Sequence, residues 1–431
     1  MAVEREQLAA RIHAMLDAGI DGDAAPFEQL ALDEFAFQYQ SNIPYRAFCD
    51  ALARHPDNVH KWQDIPAFPN ESFKTELVTS FPFDQAVMAQ LTSGTTAIVR
   101  GQIFRDDIGR DLVMKANRVV TGAYLFPDMA QGQRCRVLIL APSPEMAPSM
   151  GMAIGMEETR RHFGTPNSRF LLSHSGIDVA GLVEALTESE ASGVPVAMIG
   201  STSAFVFFFN ACSKRGVSFH LPLGSRIGDG GGYRGRFGEL TQEDYLALAY
   251  QVLGIPASHC VNVLGMAESA TNFFDDSLRC AVTGQTQTKR MRRNPPWVRT
   301  VAVSLDKLEI LPPGEVGLLR HYDVVNLPTV LAVQTDNLGY TDSRGDFQIV
   351  GRAQRDEVGK VSSKPSERVV GPMGDKRIFR FLESYVNFSI RFKAGRLKAR
   401  TPMVPPACPC GELADAMIED TPADAFSRSG L

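Results

Sequence analysis

Apolar residues recur four apart at Leu8, Ile12 and Leu16, the stripe of an amphipathic helix, and two more helices are expected over 26–39 and 45–54. Pro66 and Pro69 then force an extended path through IPAFPNESFK, residues 65–74. From residue 134 the texture changes. Apolar runs at 137–140, 170–172, 194–199 and 259–264 lack polar alternation, as strands buried on both faces require. Helical spacing returns between them, over 150–162, 179–187 and 241–253, with Ser201 or Ser203 placed to cap a further helix and Thr241 the last. FVFFF, residues 205–209, reads as core on a helix. This alternation predicts an α/β fold with mostly parallel, helix-covered sheets, whose ligands lie beyond the carboxyl ends of the strands. From about residue 295 the apolar period shortens to two and Pro-Gly turns interrupt it, which predicts an antiparallel β subdomain to about residue 352.

Composition narrows the class. The chain has 431 residues, ample for a large core, with 44% hydrophobic and 22% charged residues. Net charge is −5 and there is no basic block, so nucleic acid is not an expected partner. Seven scattered cysteines argue for a reducing compartment. No apolar stretch is long enough to span a bilayer, and the charges in MAVEREQLAARIHAML occupy the place of a leader's apolar run, so a cytoplasmic protein is expected.

Five stretches carry chemistry. In LTSGTTAIVRG, residues 91–101, the hydroxyls of Thr92, Ser93, Thr95 and Thr96 surround Gly94, and Arg100 follows. Hydroxyls, converging amides and a cation suit phosphate oxygens; the same residues also make a polar surface turn. GSRIGDGGGYRG, residues 224–235, formally spells G-x-G-x-x-G, but the next helix opens only after Leu240, so it is not a dinucleotide fingerprint. Asp229 there reads as a turn aspartate bonding its own backbone. The strand at 259–264 runs into GMAES, which places Glu268 at a strand end. TDNLGYTDSRGDFQIVGR, residues 335–352, is a hairpin turning at 342–345 with Asp336 and Arg352 near its ends. PPACPCGE ends the series: Cys408 and Cys410 have no second pair or nearby histidine to complete a zinc site. Neither a Walker loop nor a G-x-S-x-G elbow occurs.

Taken in order, these stretches resemble the acyl-adenylate-forming superfamily. Its phosphate loop is usually [ST][ST]GTTG-x-P-[KR]; here Ala97 and Val99 replace glycine and proline. GMAES resembles its YGxTE motif, with Gly265 and Glu268 matching while Leu264 and Ala267 depart; Ser269 is the next available hydroxyl. The 335–352 stretch resembles its T-G-D-L…D-G…G-R segment. IPAFPNESFK resembles the stretch ahead of the phosphate loop in LuxE-type acyl-protein synthetases, near phenylacetate–CoA-ligase-like enzymes.

The resemblance implies ATP and Mg²⁺ as cofactors. Thr92, Ser93, Gly94, Thr95, Thr96 and Arg100 would hold phosphates, with Lys74 as a further phosphate contact or a plain surface charge. Glu268 would bind Mg²⁺. Gly230, Gly231 and Gly265 would admit adenine and the acyl group. Asp336 would accept both ribose hydroxyls, and Arg352 would contact ribose or phosphate. It implies an N-terminal domain over 1–355, helical over 1–60, and a small mobile α+β lid over 356–431 that supplies Lys398 or Lys393. Cys408 or Cys410 would accept the acyl group from a fatty or other carboxylic acid. Coenzyme A, or an acyl-accepting carrier or reductase protein, are the other acceptors it implies, and a homodimer the assembly. An aryl- or acyl-CoA ligase that never acylates itself, and an adenylate-binding scaffold, stay open as alternatives.

Overall fold

The computed structural model describes residues 4–92, 101–173, 176–232, 234–235, 238–287, 289–355 and 361–362. It opens with helices α1 (Arg5–Ala18), α2 (Phe27–Ser41) and α3 (Ile43–Ala51). Asn42 starts α3 ahead of the apolar pattern by accepting the Tyr45 N–H at 3.2 Å. Strand β1 (Phe68–Pro69) passes into a 3₁₀ turn over Asn70–Lys74. Strands β2 (Met88–Leu91) and β3 (Gln102–Arg105) pair as an antiparallel hairpin. The helix after it, α4 (Asp107–Leu125), has no counterpart among the elements expected above, although Asp106 caps it and Leu112, Val113, Ala116 and Val120 form its buried stripe.

The alternating unit follows: β4 (Arg136–Leu140), α5 (Gly151–Phe163), β5 (Arg169–Phe170), α6 (Val179–Ser192), β6 (Val196–Ser201), α7 (Thr202–Arg215), β7 (Arg226–Gly230), α8 (Gln242–Leu253), β8 (Cys260–Leu264), β9 (Phe273–Phe274) and α9 (Ser277–Thr283); β7 occupies a stretch whose glycines predict a turn, and the pattern does not predict β9 or α9. The strands form one sheet in the order β9-β8-β7-β6-β4-β5, parallel except for β9. Unbroken apolar strands are explained by the two cores. Val137, Ile139, Ala197 and Ile199 belong to one core, with the buried stripe of α4, while their neighbours Leu138, Leu140, Val196 and Met198 belong to a second, with the buried residues of α6, α7 and α8. Phe205, Phe208 and Phe209 lie in the second core. Ser201, not Ser203, caps α7, and Thr241 with Asp244 makes a capping box on α8.

The β subdomain contains β10 (Val298–Val303), β11 (Gly317–Asp323), β12 (Ala332–Thr341) and β13 (Phe347–Arg352). β12 pairs with β11 along one edge; its other edge pairs with β1 at 333–334 and then with β13 at 337–341. The turn at 342–345 closes with a Gly345 N–H donated to Asp342 at 3.0 Å and a Gly345 φ of 84°. Arg293 staples the two sheets, bonding Asp276 at the start of α9 and Asp346 ahead of β13. Among the described residues no helix is long and apolar enough to cross a membrane.

One buried acid on α2 sets a pH dependence. Glu34 is fully buried, accepts from Gln38 at 2.9 Å, and has no cationic partner among the described residues. Burial pushes its carboxyl well above the usual range, and Asp323 adds to that. A raised folded-state value contributes its full stability below the unfolded pKa near 4.5 and loses it as pH rises. Glu34→Gln should therefore melt with the wild type near pH 4 and be more stable at pH 8, by roughly 1–3 kcal/mol. Thermal unfolding at the two pH values checks this; equal melting at pH 8 would contradict it.

Candidate active site

Residues 92–101 join β2 to β3. Thr92 is buried, its hydroxyl accepts the Gly101 N–H at 2.9 Å, and its own N–H reaches the Gly101 carbonyl at 2.9 Å. Thr92 therefore fastens the feet of the loop, its hydroxyl oxygen serving as an acceptor. Ser93, Gly94, Thr95, Thr96 and Arg100 lie outside the described residues. Gly101 has to be glycine: a Cβ there would stand 2.8 Å from the Thr92 methyl and 3.2 Å from the carbonyl carbon of Phe73.

The second wall is the carboxyl end of the parallel sheet. Ser201, Gly230 and Val263 stand side by side at the ends of β6, β7 and β8. Gly231 follows with φ 113°, a backbone that only glycine takes readily. Asp229 is not a turn residue, contrary to expectation: it sits buried inside β7, accepting from Thr202 Oγ1 at 2.6 Å and Asn262 Nδ2 at 2.9 Å. Burial pushes its carboxyl up to about 7 despite those bonds. A strand register, invisible in the local pattern, draws in both partners.

From β8 the chain enters the loop 265–272, with Gly265 exposed and Glu268 half-buried. Burial raises the Glu268 carboxyl above its ordinary range; a bond from its own N–H, Arg352 and Lys74 pull it down, while Asp336 pushes it up. Those three charges come from three other parts of the chain. Asp336 occupies the step on the edge of β12 where pairing passes from β1 to β13. Asn70, directly after β1, donates to its carboxylate at 3.4 Å, and the Ala353 N–H donates to its carbonyl at 2.8 Å. Arg352 is paired in register with Asn337, and Asn337 Nδ2 donates to the Met266 sulfur at 3.6 Å. Glu268, Asp336, Arg352, Asn70 and Lys74 thus share one neighbourhood. Lys398, Lys393, Cys408 and Cys410 lie outside the described residues.

Three residues that the sequence reading passed over hold this loop in place. Asp323 is buried and accepts from Thr271 N at 2.8 Å, Val325 N at 3.0 Å, Thr271 Oγ1 at 3.1 Å and Ser269 Oγ at 3.2 Å. Ser269 is thereby a structural hydroxyl, not a replacement for the one Ala267 lacks. Asn326 Nδ2 donates to the Glu268 carbonyl at 3.1 Å. Arg105 is 1% exposed, bonds Gln90 and reaches the Ala267 carbonyl at 3.2 Å. Burial lowers its guanidinium to about 10, opposed by Asp323 and Glu268, so it stays charged at neutral pH. Its signal in the sequence is a charge embedded in a short apolar strand, IFR.

The family profile of "Acyl-protein synthetase, LuxE" matches residues 15–366. The long-chain-fatty-acid–luciferin-component ligase of Aliivibrio fischeri is 22% identical over 315 residues, covering 72% of this chain and 78% of that one. Its counterpart from Vibrio harveyi is 22% identical over 321 residues, covering 74% and 80%. Among solved structures, 2-hydroxyisobutyryl-CoA ligase in complex with 2-HIB-AMP and CoA matches with a TM-score of 0.53 at 12% identity, over 78% of this chain and 69% of that one. At that identity the likeness shows a shared α/β fold. The chain belongs to the LuxE family of acyl-protein synthetases, and with it to the ATP-dependent ligases that form acyl-adenylates.

Proposed function

We propose that this protein converts ATP and a long-chain carboxylic acid to acyl-AMP and pyrophosphate, and then passes the acyl group to a thiol. The observation that carries the reading is the convergence of Glu268 and Asp336, from different sheets, beside the feet of the 92–101 hairpin. Membership of the acyl-protein synthetase family supports the reaction, and two relatives named as long-chain-fatty-acid ligases support the chain length.

In this reading a carboxylate oxygen of the acid attacks the α-phosphorus and the bond to pyrophosphate breaks. The acid is already ionised at neutral pH, so the protein positions and neutralises charge instead of removing a proton. The hydroxyls and amides of residues 93–96, with Arg100, would hold phosphates, and the Asp336 carboxylate would accept the ribose hydroxyls. Arg352 would add a charge-assisted contact. Gly230 and Gly231 leave the backbone bare where the base and acyl group would pass.

The residues fit a magnesium ion. No group of three or more metal-ligating side chains occurs among the described residues, yet Mg²⁺ characteristically takes one or two carboxylates and completes its shell with phosphate and water. Glu268, whose carboxyl Asp336 pushes toward protonation, is the carboxylate a divalent cation would relieve. The ion would neutralise the charge of the leaving pyrophosphate.

In the second step a thiolate attacks the acyl carbonyl and the bond to AMP breaks. Residues 356–431 would form the lid, with Lys398 facing the adenylate, and Cys408 or Cys410 would be the acceptor that hands the acyl group on to a partner protein. Exchange of labelled pyrophosphate into ATP, run over acids of increasing chain length, tests the first step; no exchange with any acid would end the reading. Labelled acid bound to the protein in the wild type but not in Cys408→Ser or Cys410→Ser identifies self-acylation, whereas label appearing only on added coenzyme A identifies a CoA ligase.

A further inference from the structure

We propose that Lys74 is a phosphate-binding cation of this site, contacting the polyphosphate of ATP from the main body of the enzyme; this rests on the nucleotide reading of the site given above. The segment carrying it lies between β12 and the foot of the β2–β3 hairpin. β1 adds Phe68 and Pro69 to the edge of β12, and the next residue, Asn70, donates to Asp336 at 3.4 Å. Phe73 is buried against Phe68, with ring centroids 5.8 Å apart. Its carbonyl carbon, to which the Lys74 amide is bonded, stands 3.2 Å from where a Cβ on Gly101 would sit. One 3₁₀ turn therefore touches the ribose-side acid at its start and the foot of the hairpin loop at its end. Lys74 emerges from an anchored backbone at that junction.

Its charge is placed for a ligand rather than for the fold. Among the described residues Lys74 pairs with Glu71 at 3.3 Å, three residues back, and the Glu71 side chain is 56% exposed. An exposed pair of this kind contributes little and is readily exchanged for a better anion. The Lys74 side chain itself is half-buried, and its charge acts on Glu268 together with those of Arg352 and Asp336. An ammonium on a flexible stem is a compact point charge with three donors, which suits phosphate oxygens. Because β1 and Phe73 fix the turn, Lys74 needs nothing from residues 356–431 to reach its place.

The full-length chain tests this by equilibrium binding of a fluorescent ATP analogue, with pyrophosphate exchange measured in parallel. Lys74→Met should weaken nucleotide binding about tenfold to a hundredfold, the range for a lost charge-assisted bond, and leave the KM for the acid unchanged. Lys74→Arg should restore most of the affinity. Glu71→Gln should bind as tightly as the wild type or more tightly. Melting of all three should stay within about 2 °C of the wild type, as for substitutions outside the core. If Lys74→Met does not fold, Lys74→Gln, which keeps a polar tip, replaces it. Binding by the methionine or glutamine variant within twofold of the wild type overturns the proposal. So does an equal loss in Glu71→Gln, which would make the ion pair the functional feature, and so does a wild type that does not bind the analogue. A wild type that binds the analogue but gives no exchange ends the acid-activation reading alone, and the comparison of variants still decides Lys74.

Discussion

Glu268→Gln should lower acid-dependent exchange of pyrophosphate into ATP by about 10²–10³-fold, the usual cost of removing one preorganised electrostatic group from a reacting centre. The substitution keeps the size of the side chain, and the backbone carbonyl of residue 268 keeps its bond from Asn326. What disappears is the one carboxylate that Lys74, Arg352 and Asp336 all face. The same substitution removes half of a repelling acid pair from a half-buried place, so melting should be unchanged or slightly higher. A structural glutamate gives the opposite pair of results: lower melting, with exchange retained per folded molecule. Measuring both quantities on one preparation separates the two.

Asp323→Ala should give the largest loss of stability. Four hydrogen bonds end on this buried carboxylate, two of them from backbone N–H groups of Thr271 and Val325. Alanine leaves those donors buried without an acceptor and strips Arg105 of one of the two acids that balance its charge. Breaking one side of a buried polar and ionic cluster costs about 3–5 kcal/mol, against roughly 1 kcal/mol for an average substitution. Because Thr271 closes the loop that begins at Gly265, nucleotide affinity should fall together with the melting temperature. Asp323→Asn, which keeps one acceptor oxygen and the side-chain volume, should lose less of both. Thermal melting of the two variants with and without ATP checks the order; an alanine variant as stable as the asparagine one would show that the carboxylate is not holding the loop.

Much of the fold is legible because it is written in short periods. The helical stripe of α1, the unbroken runs of β4 and β6, and the Thr241 cap of α8 all report locally on a neighbour a few residues away. Helix α4 escaped because charges at Arg105, Asp106, Asp107, Arg110 and Asp111 surround its start, ahead of the first apolar positions of its stripe at Leu112 and Val113. Within the site, ordered motifs pointed to Glu268, Asp336 and Arg352, because each motif is a short string of residue types that reads without knowledge of the fold.

Asp323 and Arg105 have no such mark. Each is a charged residue in an ordinary stretch, and its importance comes from partners 52 or 162 residues away. Asp229 illustrates the limit most sharply: a glycine-rich surround reads as a turn, yet pairing with β6 and β8 makes the same residues a buried strand. The sequence by itself determined the class of fold, the order of its elements and the chemistry its motifs allow, since those depend on local spacing and side-chain type. Only the tertiary structure decided which charges face one another, because the step on the edge of β12 beside Asp336 exists only once β1, from the beginning of the chain, has paired beside β13.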